Sequence, residues 1–249
     1  MSEHIPFPKA AFDALASSEA RHWWFRARNQ LLVWILRSRV GEFRNFLEIG
    51  CGTGFVLDGI RHEFPDVELF GTEFFEEGLM HARQRIPSAK FEQLDARLMS
   101  DVERYDMIGA FDVIEHIDED EVVLTNISRA LRKGGHLLVT VPQHRWLWSA
   151  ADERACHVRR YTRGELIDKV RGAGLEVKYV TSFVSLLMPL MWLSRQRSGQ
   201  KDAETNSEFD ISDATNRLLA FVMKIELKLI KFGVPLPFGG SLLVLARKP

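Results

Sequence analysis

The stretch FLEIGCGTGF (residues 46–55) constrains the fold more than any other. A short apolar run ends in an acid, glycines follow at alternate positions, and a helical pattern begins at once. Strand, glycine turn, helix opens a βαβ unit, in which glycine lets the backbone turn tightly and a ligand come close. The texture then repeats. Runs at 46–49, 67–71, 89–92, 105–110, 135–141, 175–182 and 241–246 read as strands, and 54–63, 75–86, 119–132 and 163–172 as helices. This alternation predicts an α/β fold, a mostly parallel sheet with helices on both faces. LRKGGHLLVTVP (131–142) reads as a helix end capped by a glycine pair, then a buried strand. Residues 10–40, with WWFRARNQLLVWIL, read as helix.

Residues 183–240 interrupt the alternation. An apolar run of 11 residues, FVSLLMPLMWL, comes first, then the polar SRQRSGQKDAETNSEFDIS, then an amphipathic helix at about 213–232. At ~100° per residue, Arg217, Lys224, Lys228 and Lys231 share one narrow face. Leu218, Leu219, Val222, Ile225 and Leu229 lie on the other, with Glu226 inside the apolar sector. The chain divides into an N-terminal helical lid (1–43), a ligand-binding core (44–182), a helical insertion serving as a substrate lid (183–240) and a final core strand (241–249). The apolar side of the insertion is expected to line a pocket, and 197–210 to be loosely ordered.

A net charge of −1 gives no reason to expect a nucleic-acid partner. Cys51 and Cys156 form neither a C-x-x-C pair nor a disulfide framework, which suits a reducing cytosol. MSEHIPFPKAAF lacks the basic and apolar regions of a secretory signal. The 11-residue apolar run falls short of the roughly 20 residues that cross a bilayer. The expectation is a cytoplasmic protein with peripheral contact, through 183–232, to the inner face of a membrane. Nothing in the sequence speaks to an oligomeric state.

Gly50, Gly52 and Gly54 fall at the carboxyl end of the first strand, where open α/β sheets bind ligands. No Gly-Lys-Ser/Thr follows, so this is not a P-loop; Phe55 and the glycine spacing break the dinucleotide fingerprint G-x-G-x-x-G. Glu73 ends the second strand, placed to accept hydrogen bonds from a ribose diol. The site therefore wants a nucleoside without its phosphates.

LEIGCGTG, Glu73, QLDA (93–96), YDMIGAFDVIEHI (105–117) and LRKGGHLLVTVP stand together in one order over residues 44–182. In this the chain resembles the class I S-adenosylmethionine (SAM)-dependent methyltransferases. DVIEH with LRKGG looks most like the small-molecule branch that holds the ubiquinone-pathway O-methyltransferases. The resemblance implies a Rossmann-like seven-stranded sheet whose last strand, here 241–246, runs antiparallel. It also implies SAM as cofactor and a small-molecule acceptor. Glu48 and the backbone of Gly50 and Gly52 would face the methionine part, Glu73 the ribose, Asp95 and Ala96 the adenine, and Phe111 the sulfonium. In this superfamily N-terminal helices often close over SAM. Arg26 or Arg28 would then meet its carboxylate, and Trp23, Trp24 and Phe25 either form part of the lid or fill the core.

Methyl transfer needs the nucleophile and methyl held in line and water excluded. A hydroxyl nucleophile must also lose a proton to a base or beside a metal. Asp112, Glu115 and His116 stand at i, i+3 and i+4; in a helical turn they project to one side. They offer a divalent-metal site, or His116 serves as general base with Glu115 beside it. In the ubiquinone-pathway relatives the corresponding pattern binds a divalent metal. Asp112 stands where they carry an acid like Glu, so the metal is the less favoured reading. In WLWSAADERACHVRRYTRGEL (146–166), Thr162 and Glu165 form a capping box. Before it, Asp152, His157, Arg159, Arg160 and Tyr161 can gather a polar or anionic substrate and bring a second catalytic imidazole, His157. The function read from all this is methyl transfer from SAM to a small acceptor, lipophilic ones included, most readily at oxygen. Two other classes compete. A nicotinamide-dependent oxidoreductase is disfavoured by the glycine spacing and by Glu165 where a Tyr-x-x-x-Lys pair would put lysine. A non-catalytic SAM-binding module is disfavoured only by the intact SAM set.

Overall fold

The computed structural model describes residues 9–197 and 211–249. Seven strands run along the chain: β1 (Asn45–Ile49), β2 (Glu68–Glu73), β3 (Lys90–Gln93), β4 (Tyr105–Phe111), β5 (Leu131–Pro142), β6 (Glu176–Phe183) and β7 (Ser241–Arg247). They make one sheet in the order β3-β2-β1-β4-β5-β7-β6. All pairs are parallel except those of β7, which runs antiparallel to β5 and β6. The order reverses between β1 and β4. The crevice at their carboxyl ends is where such sheets take ligands.

Helices cover both faces, as the alternation requires. One face packs under α1 (Lys9–Ser18), α2 (Trp23–Ile35), α3 (Phe55–Glu63), α4 (Glu76–Arg85) and α9 (Asp213–Lys231), the other under α5 (Asp120–Ala130) and α7 (Arg163–Gly172). Side chains alternate between faces along each strand. Phe46, Met107 and Leu138 go to the α2 side, while Leu47, Ile108 and Val139 go to the α5 side. Glu48 shares the Phe46 face and so points toward α2. The short α6 (Ala150–Arg154) and α8 (Met188–Arg197) complete the helices among the described residues.

Three expectations change. The helical stretch 10–40 breaks between Ser18 and Trp23. His22 caps α2 by accepting from the Trp24 N–H, and Asn216 of α9 accepts from the Trp23 N–H at 2.8 Å. The Gly134–Gly135 pair does not cap a helix. α5 ends at Ala130 and β5 begins at Leu131, with the pair inside the strand where its register on β4 shifts. A Cβ on Gly135 would stand 2.9–3.2 Å from three carbonyl oxygens, so glycine is needed there for close backbone approach.

The described part of the insertion packs on the core. α9 lies along α2 and buries Met223, Leu227 and Ile230 in the core, while Leu218, Phe221 and Ile225 are exposed. Leu218 and Ile225, read on the apolar face, are therefore exposed beside the basic strip. Glu226 is fully buried and accepts from the Leu186 N–H at 2.8 Å, so its partner is the backbone entering α8. The cleft at the crevice, described below, takes none of its lining from the described residues of 183–240. The expectation for 197–210 falls, apart from residue 197, outside the described residues. No described helix is long and apolar enough to cross a membrane.

Candidate active site

The glycine loop leaves β1 at the crevice. Gly50 takes φ +64°, and a Cβ there would meet Val113 at 2.5 Å. Gly52 takes φ +51° with nothing within 4 Å of its missing Cβ, which leaves open room for a ligand. Gly54 caps the start of α3 and packs against Ala82. The loop is braced from outside. Thr53 donates to Glu19, and Arg85 pairs with Glu19 at 2.6 Å and donates to the Thr53 carbonyl at 3.0 Å. This brace spans the turn after α1, the loop and α4, and no local motif announces it because its members lie 32 or more residues apart.

Around the loop the expected cofactor residues fall as follows. Glu48 is buried, and its Oε2 has no hydrogen-bond partner. Burial pushes its carboxyl up to about 8, against the pull of the nearby Arg28 guanidinium. Such an acceptor fits a cationic donor, as the SAM ammonium is. Glu73 accepts from the Gly52 N–H at 2.9 Å and the Phe75 N–H at 3.1 Å, so it ties the loop to the end of β2. Burial raises its carboxyl. Beyond it opens a cleft of about 450 Å³ lined by Phe74–Glu77 and Gln93–Asp95. That cleft suits an adenine edge. The orphaned Glu48 oxygen, the open face of Gly52 and this cleft together fit SAM.

Other assignments need revision. Asp95 lines the cleft, but its carboxylate caps the turn 96–98 and forks onto Arg97, which holds its carboxyl below the usual range. Ala96 is buried and its carbonyl accepts from Asn126. Phe111 turns its ring back over Gly109 beside Phe46, into the core. Arg28 does reach the crevice. It stacks on Trp24 at 4.5 Å and pairs with Asp112, while Arg26 stays exposed. Phe25 is buried and Trp24 half-buried, so the aromatics fill as well as cover.

The turn after β4 carries the reactive groups. Val113 presses on Gly50, which sets residues 112–116 beside the loop. Asp112 takes φ +57°, which Asp tolerates better than most residues, and its carboxylate accepts from Arg28 and Thr140. Only Ile114–His116 form a helical turn, a short 3-10 one, so Asp112, Glu115 and His116 do not share a helix face. Instead Glu115, His116 and His157 converge, one ligating atom of each within 4.8 Å of the others. The Val158 N–H donates to the Glu115 carbonyl at 2.8 Å and draws the two segments together. A metal held by Asp112, Glu115 and His116 does not fit this arrangement, because Arg28 and Thr140 already occupy Asp112.

His157 Nδ1 lies 2.9 Å from Asp152 Oδ1, and Arg160 donates to the same oxygen at 2.7 Å. Burial alone would raise the Asp152 carboxyl, but the His157 hydrogen bond and the Arg160 charge bring it down to about 2. Burial and the neighbouring His157 hold His116 down at about 4, so it is neutral near pH 7. The Asp152–His157 pairing was legible only in part: Ser149 and Asp152 form a capping box on α6, which hides the second use of the carboxylate. Arg159, Arg160 and Tyr161 are held by protein partners. Arg159 pairs with Asp120 at 2.8 Å, Tyr161 donates to Asp120 at 2.6 Å, and Arg160 holds Asp152 and the Gln143 carbonyl.

The comparisons agree with this geometry. A family model described as a methyltransferase domain matches residues 18–180. A probable S-adenosylmethionine-dependent methyltransferase of Mycolicibacterium smegmatis is 30% identical over 162 residues, 63% of this chain and 61% of that one. A ubiquinone biosynthesis O-methyltransferase of Aeromonas salmonicida is 26% identical over 147 residues, 53% of this chain and 59% of that one. The chain spans 43–61% of the length of the first curated relatives it matches. Phosphoethanolamine N-methyltransferase 2 of Haemonchus contortus, solved with SAM, shares the fold at TM-score 0.60 and 19% identity. That match covers 89% of this chain and 52% of the other. On the family match, the sheet order and the SAM-fitting crevice, this chain belongs to the class I S-adenosylmethionine-dependent methyltransferases.

Proposed function

We propose that this protein transfers the methyl group of SAM to a hydroxyl oxygen of a small, lipophilic acceptor. The observation that carries this reading is the Glu115–His116–His157 cluster on the turn that packs against Gly50. When bound, SAM supplies a methyl already activated by its sulfonium. The chain's own residues have the remaining tasks. Glu48, Gly52 and Glu73 hold the cofactor, Arg28 and Trp24 close over the crevice, and the cluster takes charge of the hydroxyl proton. A hydroxyl, whose proton must leave as the methyl arrives, has direct use for imidazoles beside a buried carboxylate. The test is to incubate the purified protein with SAM and fractionated hydroxylated lipids. Release of S-adenosylhomocysteine is expected with hydroxylated fractions and not with their O-blocked forms. Release that persists after O-blocking overturns the oxygen assignment.

A lipophilic acceptor suits a protein working at the cytoplasmic surface of a membrane. The exposed side of α9 supports this: Arg217, Lys224, Lys228 and Lys231 flank Leu218, Phe221, Ile225 and Phe232. Cations beside apolar side chains match an anionic bilayer interface. The protein is expected to co-sediment with anionic vesicles at low salt and to be released as salt rises. Failure to sediment at low salt removes the membrane from the reading.

A further inference from the structure

The loop 152–158 is built around a carboxylate. Asp152 is buried, and its two oxygens have separate tasks. Oδ2 accepts from the Ser149 N–H at 2.9 Å and closes the first turn of α6. Oδ1 accepts from Arg160 Nε at 2.7 Å and lies 2.9 Å from His157 Nδ1. Arg160 is itself buried and is anchored by the Gln143 carbonyl at 3.1 Å, at the end of β5. Closing a helix turn uses one oxygen, and the second is aimed at a histidine. The backbone helps to aim it. The His157 N–H donates to the Asp152 carbonyl at 2.9 Å, and the Val158 N–H to the Glu115 carbonyl at 2.8 Å. Between Asp152 and Val158, Cys156 takes φ +57°, a left-handed conformation uncommon outside glycine. Such strain persists where the surroundings fix it, and it clusters at functional sites. His157 Nε2 then stands 3.9 Å from Glu115 Oε1.

The two imidazoles are not equivalent. Each meets an acceptor at Nδ1, so each carries its proton there and keeps its lone pair on Nε2. Behind His116 stands the neutral Cys156 carbonyl at 3.4 Å, and burial with the neighbouring His157 holds that ring neutral. Behind His157 stands a carboxylate. Burial alone would raise the Asp152 carboxyl, but His157 and Arg160 bring it down to about 2, so it stays ionised. Burial and the nearby Asp112 push the Glu115 carboxyl the other way, well above its usual range, which favours the neutral acid. Two carboxyls driven apart around one imidazole divide their roles, one charged and one not.

We propose that Asp152 is the positioning residue that makes His157, and not His116, the base for the acceptor hydroxyl. The proposal rests on the functional reading above, in which this cluster meets a hydroxyl. As the hydroxyl oxygen bonds to the methyl carbon and the carbon–sulfur bond breaks, the hydroxyl proton passes to His157 Nε2. One positive charge enters the step on the sulfonium and one leaves it on the imidazolium. That imidazolium stands against Asp152, and its proton later passes to water. His116 has no such anion behind it, and its ring packs edge to face on His157.

The test follows the ring itself. In protein carrying nitrogen-15 histidine, long-range proton–nitrogen NMR spectra show which ring nitrogen bears the proton. The His157 and His116 signals are assigned by their loss in His157→Gln and His116→Gln. At a pH where the ring is neutral, His157 in the parent is expected as the Nδ1–H tautomer. In Asp152→Asn the amide can donate to Nδ1, and His157 is expected to shift toward the Nε2–H tautomer while His116 keeps its own. Turnover of Asp152→Asn with the hydroxylated lipid fraction should fall about 10²- to 10⁴-fold in kcat, with KM and SAM affinity little changed. Retained SAM binding shows that the variant is folded; if it is lost, the parent tautomer decides. His157 bearing its proton on Nε2 in the parent overturns this proposal and leaves the functional reading standing. So does an Asp152→Asn protein that turns over like the parent, or one that slows with the His157 tautomer unchanged, since Asp152 then only supports the loop. Turnover that persists on O-blocked fractions overturns the functional reading, and this proposal with it.

Discussion

Replacing His157 with alanine is expected to lower turnover about 10²- to 10⁴-fold while the affinity for SAM stays nearly unchanged. The separation follows from the geometry. His157 touches neither the glycine loop nor the cleft beyond Glu73; its contacts are Asp152, Glu115 and the ring of His116, 4.7 Å away between centroids. Removing the imidazole therefore takes away a group that acts on the acceptor hydroxyl and leaves the cofactor's contacts in place. His116→Ala should act the same way. Its half-buried imidazole, held neutral near pH 7, completes the cluster. Steady-state turnover with a hydroxylated acceptor, beside calorimetric titration with SAM, reads both quantities. If neither variant slows turnover, the acceptor brings its own nucleophile and the cluster has no chemical role. If both lose SAM, the cluster belongs to the cofactor site instead.

Glu73→Ala is expected to weaken SAM binding by about 1–3 kcal/mol, roughly 5- to 150-fold in Kd. Two losses combine. The carboxylate is placed to accept from the ribose hydroxyls, and it already accepts from the backbone N–H groups of Gly52 and Phe75. Alanine leaves those N–H groups without their acceptor and frees the loop to move. Glu73→Gln separates the two effects, since the amide oxygen can still accept one backbone bond but the charge is gone. Calorimetry that finds Glu73→Ala unchanged would take Glu73 out of the site.

The sheet was legible because each strand carries its own signal. Seven apolar runs between turn residues marked seven strands, and LEIGCGTG with Glu73 marked the crevice. Asp112 shows where such reading stops. Its spacing to Glu115 and His116 suggests one helix face, but φ +57° and the Arg28 partner from α2 turn it aside. A pairing across 84 residues leaves no trace in local periodicity. Asp95 shows a nearer partner that the motif did not announce: Arg97, two residues on, pairs with its carboxylate at the edge of the cleft. Glu226 looked like a flaw in an apolar stripe because its partners are backbone N–H groups, which carry no side-chain signature. His157 could be named from the sequence, but its place beside Glu115 depends on a backbone bond from Val158.

The Asn216 cap on α2 bears on how the chain comes off the ribosome. The Trp23 N–H waits for an acceptor 193 residues downstream. During synthesis that acceptor is made long after the glycine loop, and until then the Trp23 N–H has only solvent to meet it. Arg28 sits one turn further along this helix and reaches Asp112 from it. The helix that brings Arg28 to the crevice therefore gains this cap only once α9 has been made.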